Sequence, residues 1–281
     1  MEIQILENTV TLKNFKNFGL GQTFDCGQCF RFKQISDNKF QTIAYKKVLN
    51  IIQNENEIIF ENTNKSDFEN IWKNYFDLET DYAKIWGTLS KISPVLSAAY
   101  EFAPGIRILH QEPWETLCSY IISQNNNIPR IKKIIAKLCE LFGEKIEGFE
   151  NEFDFPSAEK IASLSLEDLA PIKSGFRAKY ILDAAKKVSL KEVDLGIINN
   201  LPFDKSMETL MKINGVGPKV ASCVLLYGFH RLEAFPMDIW MKKVMNTFFE
   251  GKSSEIFGEY AGIAQQYLYN YSRAKANELF N

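Results

Sequence analysis

From Glu2 to Phe60 the chain consists of short runs in which apolar and polar residues alternate. Glu2–Leu6, Thr9–Leu12, Cys29–Lys33, Lys39–Tyr45, Val48–Ile52 and Glu57–Phe60 are β-branched or aromatic stretches separated by polar breaks, with Asn50, Asn54 and Glu55 marking turns. Period-two patterning of this kind predicts strands. From Ser66 the period changes. Phe68, Ile71, Trp72 and Phe76 fall at helix spacing, as do Tyr82, Ile85, Trp86 and Leu89, and Ser93-Pro94 has the composition of a helix start. After Pro104-Gly105 nearly everything is helix-periodic: Pro113–Ser123, Ile128–Phe142, Ser157–Ser163, Ala178–Val188, Lys205–Lys212, Pro218–Gly228, Asp238–Phe248 and Ser254–Tyr271. No repeat, low-complexity tract or Gly/Ser linker interrupts them. The expected fold is α+β, with an N-terminal antiparallel β-sheet domain over residues 1–104 and a mostly α-helical body over residues 105–281.

Composition narrows the class. The chain has 281 residues, 46% hydrophobic and 24% charged, with 22 Phe, as expected of a folded protein with a well-packed interior. No signal peptide is read at the N-terminus and no apolar run reaches the length of a membrane span. An intracellular, monomeric protein is expected, cytoplasmic or nucleoid-associated if the source is bacterial. Five cysteines are too scattered for a disulfide framework. Cys26 and Cys29 have C-x-x-C spacing, but Cys118, Cys139, His110 and His230 offer no matching pair for a zinc site, and no metal is expected. The net charge of −2 neither favours nor excludes a nucleic-acid partner, because such a partner feels the local patch rather than the total. Lys173, Arg177, Lys179, Lys186 and Lys187 form one basic cluster.

The most specific chemistry lies in Ile213-Asn214-Gly215-Val216-Gly217-Pro218-Lys219-Val220-Ala221, followed nineteen residues after Lys219 by Asp238. Two glycines between helical segments allow a tight turn and close backbone approach to a ligand. Pro218 suits the first turn of the following helix. The unpaired N–H groups there, with the helix dipole, make a phosphate site. Lys219 adds an amine and Asp238 a carboxylate. The plainer alternatives stay open at this point: the glycines could form only a turn, Lys219 could be a solvated charge, and Asp238 could simply cap the helix beginning at Ile239.

This string resembles the helix–hairpin–helix, Gly/Pro…Asp signature of base-excision DNA glycosylases, and most closely the 8-oxoguanine DNA glycosylase/lyase family. Three further segments carry the resemblance: Cys26-Gly27-Gln28-Cys29-Phe30-Arg31-Phe32, Ser123-Gln124-Asn125-Asn126-Asn127-Ile128-Pro129-Arg130-Ile131 and Gly175-Phe176-Arg177-Ala178-Lys179-Tyr180. It extends from about Phe24 to the C-terminus. No cysteine follows Trp240, so the four-cysteine iron–sulfur loop of the endonuclease III relatives is absent.

The resemblance implies base excision from duplex DNA containing oxidised guanine, with the sheet domain packed on a helical body and the hairpin in a cleft between two helical lobes. Lys219 matches the nucleophile, which would form a Schiff base at C1′ and allow β-elimination, and Asp238 the carboxylate that stabilises the cationic sugar. Gly27 matches the glycine whose carbonyl senses the N7–H of the oxidised base, although a plain bulge glycine would read the same. Gln265 matches the residue on the Watson–Crick edge. Cys223 and Tyr269 match those on the two faces of the base, where Phe is more usual than Tyr; on helix spacing alone both would be core. Asn125, Arg130, Phe176 and Arg177 match residues that fill the gap and hold the orphaned base, with Phe176 in place of the usual Tyr. Two arginines on that base favour cytosine, whose pairing edge offers acceptors. Gly215, Gly217, Val220 and Trp240 match contacts to the DNA backbone, Trp240 standing where mammalian members have His. No organic cofactor is implied, though a monovalent cation on the carbonyls of Met211, Ile213 and Val216 is compatible with the family. The alternatives are a glycosylase for alkylated bases or oxidised pyrimidines, or a non-catalytic helix–hairpin–helix DNA-binding module.

Overall fold

The computed structural model describes residues 2–280. Alternation in the N-terminal segment produces a single antiparallel sheet. Its strands are β1 (Glu2–Leu6), β2 (Thr9–Lys13), β3 (Phe32–Gln34), β4 (Lys39–Ala44), β5 (Lys47–Gln53) and β6 (Glu57–Glu61), in the order β1-β2-β6-β5-β4-β3. Register follows the apolar face: Val10 pairs with Phe60 and Leu12 with Ile58, and all four are buried. A one-residue slip would turn them to solvent. The buried face packs on Phe68, Trp72, Tyr75 and Phe76, which lie on a helical stretch that passes through a π-helical segment, Phe68–Trp72.

A second, larger core fills the helical body. Its principal helices are α1 (Tyr82–Leu89), α2 (Pro94–Phe102), α3 (Pro113–Ser123), α4 (Ile128–Phe142), α5 (Arg177–Ser189), α6 (Phe203–Leu210), α7 (Pro218–Gly228), α8 (Ile239–Phe248) and α9 (Ala261–Ala274). Helix α7 is buried along almost its whole length against α3, so its N-terminus is a rigid mount. Helices α1 and α2 turn their apolar stripes into the larger core, where Trp86 meets Tyr267 of α9 at 4.4 Å between ring centroids.

Two buried polar side chains join the two cores. Arg107 donates to the carbonyls of Asn17, Phe76, Asp77 and Thr80, with its guanidinium 4.2 Å from the Tyr82 ring centre. Gln28 donates to the carbonyls of Thr23 and Arg107, both at 2.8 Å, and accepts from the Leu109 N–H at 2.9 Å. That clamp fixes the loop carrying Gly27.

Some expected boundaries move. Cys29–Lys33 does not form one strand; pairing starts at Phe32, because Phe30 leaves the sheet to pack edge-on against Tyr120 of the body. Ser254–Tyr271 is not one helix either. A 3-10 stretch over Ser254–Tyr260 precedes α9, and Gly258 breaks the geometry with φ 60° and ψ −144°. Asp238 stands outside α8 as its cap rather than as its first residue. Among the described residues no helix is long and apolar enough to cross a membrane.

Candidate active site and DNA-facing cleft

The hairpin joins α6 to α7 through Met211–Gly217. Gly215 has φ +80°, and a Cβ there would meet the Tyr180 ring at 2.5 Å, so both backbone and space require glycine. Gly217 is different. Its backbone is extended, with φ −97° and ψ −176°, and a Cβ would meet nothing within 4 Å. It therefore matters for the open space above the helix start rather than for a positive φ, contrary to the simple Gly-X-Gly turn. Asp183 fixes the hairpin tip by accepting from the Asn214 backbone N–H at 2.7 Å and from its side-chain amide at 2.9 Å. The Ala221 N–H donates to the Gly217 carbonyl at 3.0 Å, which leaves the N–H groups of Lys219 and Val220 at the open end of the helix.

A cleft of about 710 Å³ begins at this helix end. Lys219, Cys223, Asp238, Gln265, Tyr269 and Gly27 all line it, together with Asn125, Gly217, Val220 and Trp240. Five separate parts of the chain thus meet here. The Lys219 Nζ lies 5.4 Å from the centre of the Tyr120 ring. Cys223, one turn further along α7, is buried; burial pushes its thiol up to about 11, Lys219 pulls the other way and Asp238 adds to the rise. Cys223 is therefore a neutral, packable thiol near neutral pH.

Asp238 caps a helix and borders the cleft at once. One carboxylate oxygen accepts the Met241 N–H at 2.8 Å, capping α8, and the residue still lines the cleft. Gln265 is buried, with only long contacts: its amide donates to the Pro236 carbonyl at 3.4 Å and it accepts from the Tyr227 hydroxyl at 3.5 Å. Gly27 has φ +86°, so glycine is required. Its carbonyl accepts from the Tyr120 hydroxyl at 3.3 Å and keeps a second lone pair.

Tyr120 was not found from the sequence. It is buried on α3, stacks on Tyr227 at 5.4 Å and links Lys219 to Gly27; its helical spacing gave only a core signal. Ile239 was also missed. It is 79% exposed directly after Asp238 and lines the cleft, an apolar residue at the lip.

The two segments expected to fill the gap flank the cleft. Asn125 adopts φ +46°, and Asn127 caps α4 by accepting from the Arg130 N–H at 3.0 Å. Phe176 is 51% exposed at the start of α5. Arg130 is exposed, with one long contact to the Lys173 carbonyl at 3.4 Å. Arg177 sits differently from Arg130. It is 3% exposed, and its guanidinium donates to the carbonyls of Gln124 (2.8 Å from Nε), Asn125 (2.7 Å) and Ser174 (3.1 Å). In this structure Arg177 therefore holds the Asn125 loop in place. Trp240 lines the cleft and packs on Phe280, ring centres 6.4 Å apart.

Two other clusters lie outside the cleft. Cys26 and Cys29 are free and buried, and burial pushes the Cys26 thiol up to about 12. The fold also brings together His110 and His230, which the sequence leaves apart, with Asp77; one ligand atom from each lies within 4.8 Å of the others. The two imidazoles stack with centres 3.4 Å apart. A shared zinc at about 2.0–2.1 Å from each nitrogen would keep the ring centres roughly 5 Å apart, so this geometry is that of a histidine pair on a carboxylate.

With this geometry established, comparison places the chain. Residues 10–117 match the 8-oxoguanine DNA glycosylase N-terminal domain and residues 118–256 the HhH-GPD superfamily of base excision DNA repair proteins. A probable N-glycosylase/DNA lyase of Methanothermobacter thermautotrophicus is 31% identical over 230 residues, 70% of this chain and 72% of that protein. The N-glycosylase/DNA lyase of Saccharomyces cerevisiae is 39% identical over 153 residues; that match spans 50% of this chain and 41% of the yeast protein. The crystal structure of the Clostridium acetobutylicum 8-oxoguanine glycosylase/lyase, in complex with double-stranded DNA containing cytosine opposite 8-oxoguanine, superposes with a TM-score of 0.92. It is 36% identical and covers 98% of this chain and 99% of its own. The chain belongs to the 8-oxoguanine DNA glycosylase/lyase family, within the HhH-GPD superfamily of base excision DNA repair proteins.

Proposed function

We propose that this protein excises 8-oxoguanine from duplex DNA, preferentially opposite cytosine, and then nicks the strand through a lysine Schiff base. The observation that carries the reading is the position of Lys219. Its amine stands at the open end of α7, in one cleft with Cys223, Asp238 and Gly27.

The glycosidic carbon is inaccessible within the base stack, so the nucleotide must leave the duplex. Phosphates flanking it meet the N–H groups at the start of α7 and the open space above Gly217. Phe176 and Asn125 enter the gap. The flipped base lies between Cys223 and Tyr269. Gln265 exchanges its long contacts for the Watson–Crick edge. The second lone pair of the Gly27 carbonyl accepts the N7–H of 8-oxoguanine; normal guanine presents an acceptor there and is repelled.

Lys219, as the free amine, donates its lone pair to C1′. The C1′–N9 bond breaks, and the base leaves with that pair and takes up a proton. Asp238 stabilises the positive charge that develops on the sugar. Opening of the ring at O4′ gives the imine, and loss of a C2′ proton then expels the 3′ phosphate. A monovalent cation at the hairpin would be held by the carbonyls of Met211, Ile213 and Val216, away from these steps. Opposite the lesion, the exposed Arg130 meets the acceptors of cytosine, whereas the amino group of adenine would face it with a donor. The protein acts as a monomer, with no membrane association.

Single-turnover assays on duplexes carrying 8-oxoguanine, an alkylated purine or an oxidised pyrimidine test the reading. Fast base release and nicking are expected on 8-oxoguanine alone. Preference for an alkylated base would replace this reading with one of its alternatives.

A further inference from the structure

One cation near the base pocket has no part in the scheme so far. Arg273 lies on the last turn of α9, one turn after Tyr269. Its guanidinium carbon is 5.3 Å from the centre of the Tyr269 ring. One terminal nitrogen lies 3.6 Å from the point where a Cβ would stand on Gly27, and that same point is 3.5 Å from the Tyr269 ring. Arg273, Tyr269 and Gly27 are thus mutual neighbours, although Gly27 and Arg273 come from opposite ends of the chain. Arg273 is exposed, so its remaining donors are open to a ligand.

The chemistry of the base edge gives this placement a meaning. A purine N7 is flanked by the substituents on C6 and C8. In 8-oxoguanine both are carbonyl oxygens, which only accept hydrogen bonds. The Gly27 carbonyl also only accepts; it pairs with the N7–H but repels an oxygen on either side of it. A donor next to Gly27 removes that mismatch. Arginine suits the position, because its planar fork can lie over an aromatic ring and still direct N–H groups beyond the ring edge. Stacking on Tyr269 also limits the rotamers that must be fixed when the base arrives.

We infer that Arg273 is a base-reading residue, which donates to an oxygen flanking N7 of the flipped base while lying against Tyr269. The inference rests on the 8-oxoguanine reading above. It separates two activities of one cleft: base release requires the contact, whereas nicking at a site that has already lost its base does not.

The test uses the full chain and R273M, which keeps an apolar stem beside Tyr269. Two single-turnover rates are measured with enzyme in excess: excision of 8-oxoguanine opposite cytosine, and nicking of a preformed abasic site. The excision rate is expected to fall about tenfold or more, the loss of one hydrogen bond from a charged donor. The nicking rate is expected to stay within about twofold of wild type, which also reports intact folding and DNA binding. Equal losses in both rates would make Arg273 a backbone contact or a structural residue and overturn the inference. Unchanged excision would overturn it too. Wild-type protein inert on 8-oxoguanine would instead overturn the functional reading on which it rests.

Discussion

Replacing Arg177 with methionine separates two roles for a residue at the edge of the gap. Methionine keeps much of the stem but none of the donors. The carbonyls of Gln124, Asn125 and Ser174 then lose their guanidinium partner. At about 1 kcal/mol for each partly buried acceptor left unpaired, the loss is about 3 kcal/mol. For a chain of this size that lowers Tm by roughly 5 °C. Asn125, held at φ +46°, would relax toward ordinary backbone once its carbonyl is released. Gap filling should then weaken whatever base is opposite. Single-turnover excision on four duplexes, with cytosine, adenine, guanine or thymine opposite the lesion, should fall by a similar factor in all four. Thermal unfolding of the free protein supplies the second readout. An R177M protein with unchanged Tm and a loss confined to the cytosine duplex would refute this reasoning and return Arg177 to the orphaned base.

Arg130→Ala should behave oppositely, leaving Tm unchanged and narrowing the cytosine-to-adenine ratio from about tenfold, the equivalent of ~1.4 kcal/mol; a uniform loss with greater salt sensitivity would make Arg130 a phosphate contact. Asp238→Asn should still cap α8, so stability should fall by no more than about 1 kcal/mol, while excision under single-turnover conditions falls far more; a stability loss with an unchanged rate would leave only the capping role. Gly215→Ala should destabilise the hairpin and weaken DNA binding in a titration, because the new Cβ would stand 2.5 Å from the Tyr180 ring at φ +80°; wild-type affinity and Tm would contradict this. Burial alone would raise the carboxyl of Asp77, but the imidazoles of His110 and His230, 3.7 and 3.4 Å from its oxygens, together with the hydrogen bond from the Thr80 hydroxyl, outweigh it and hold it well below its ordinary value of 3.8. The resulting stabilisation is present above that ordinary value and is lost as pH falls below it toward the folded-state value. Acid unfolding of Asp77→Asn should accordingly be less steep below pH 3.8 than that of wild type, and identical acid limbs would exclude the role.

What the sequence made legible is chiefly local. The Gly215 turn, Pro218 at the helix start and Asp238 as a cap depend on neighbours a few residues away, and pattern alone locates them. The strands were readable for the same reason, apart from the start of β3, where Phe30 answers to Tyr120, far along the chain, and Asn50, which reads as a turn residue but lies within β5 and pairs with Gln41. Placing Gly27, Cys223, Gln265 and Tyr269 in one pocket required the family resemblance, because helix spacing reads two of them as core. Residues whose partners are distant escaped. Tyr120 looks like any buried helix residue until its hydroxyl reaches Gly27. His110 and His230 meet only because α7 ends beside the segment leading into α3. Arg177 has the composition of a DNA contact, and only the fold places three carbonyls around it.

Borohydride trapping on a duplex with 8-oxoguanine opposite cytosine tests the central claim most directly, because reduction fixes only an imine between protein and DNA. Wild-type protein should become covalently joined to the lesion strand. Lys219→Gln should bind the same duplex but give no adduct, no free base and no nick. An adduct of undiminished yield with Lys219→Gln, or base release by wild type without any trappable adduct, would contradict the assignment of Lys219 as the nucleophile.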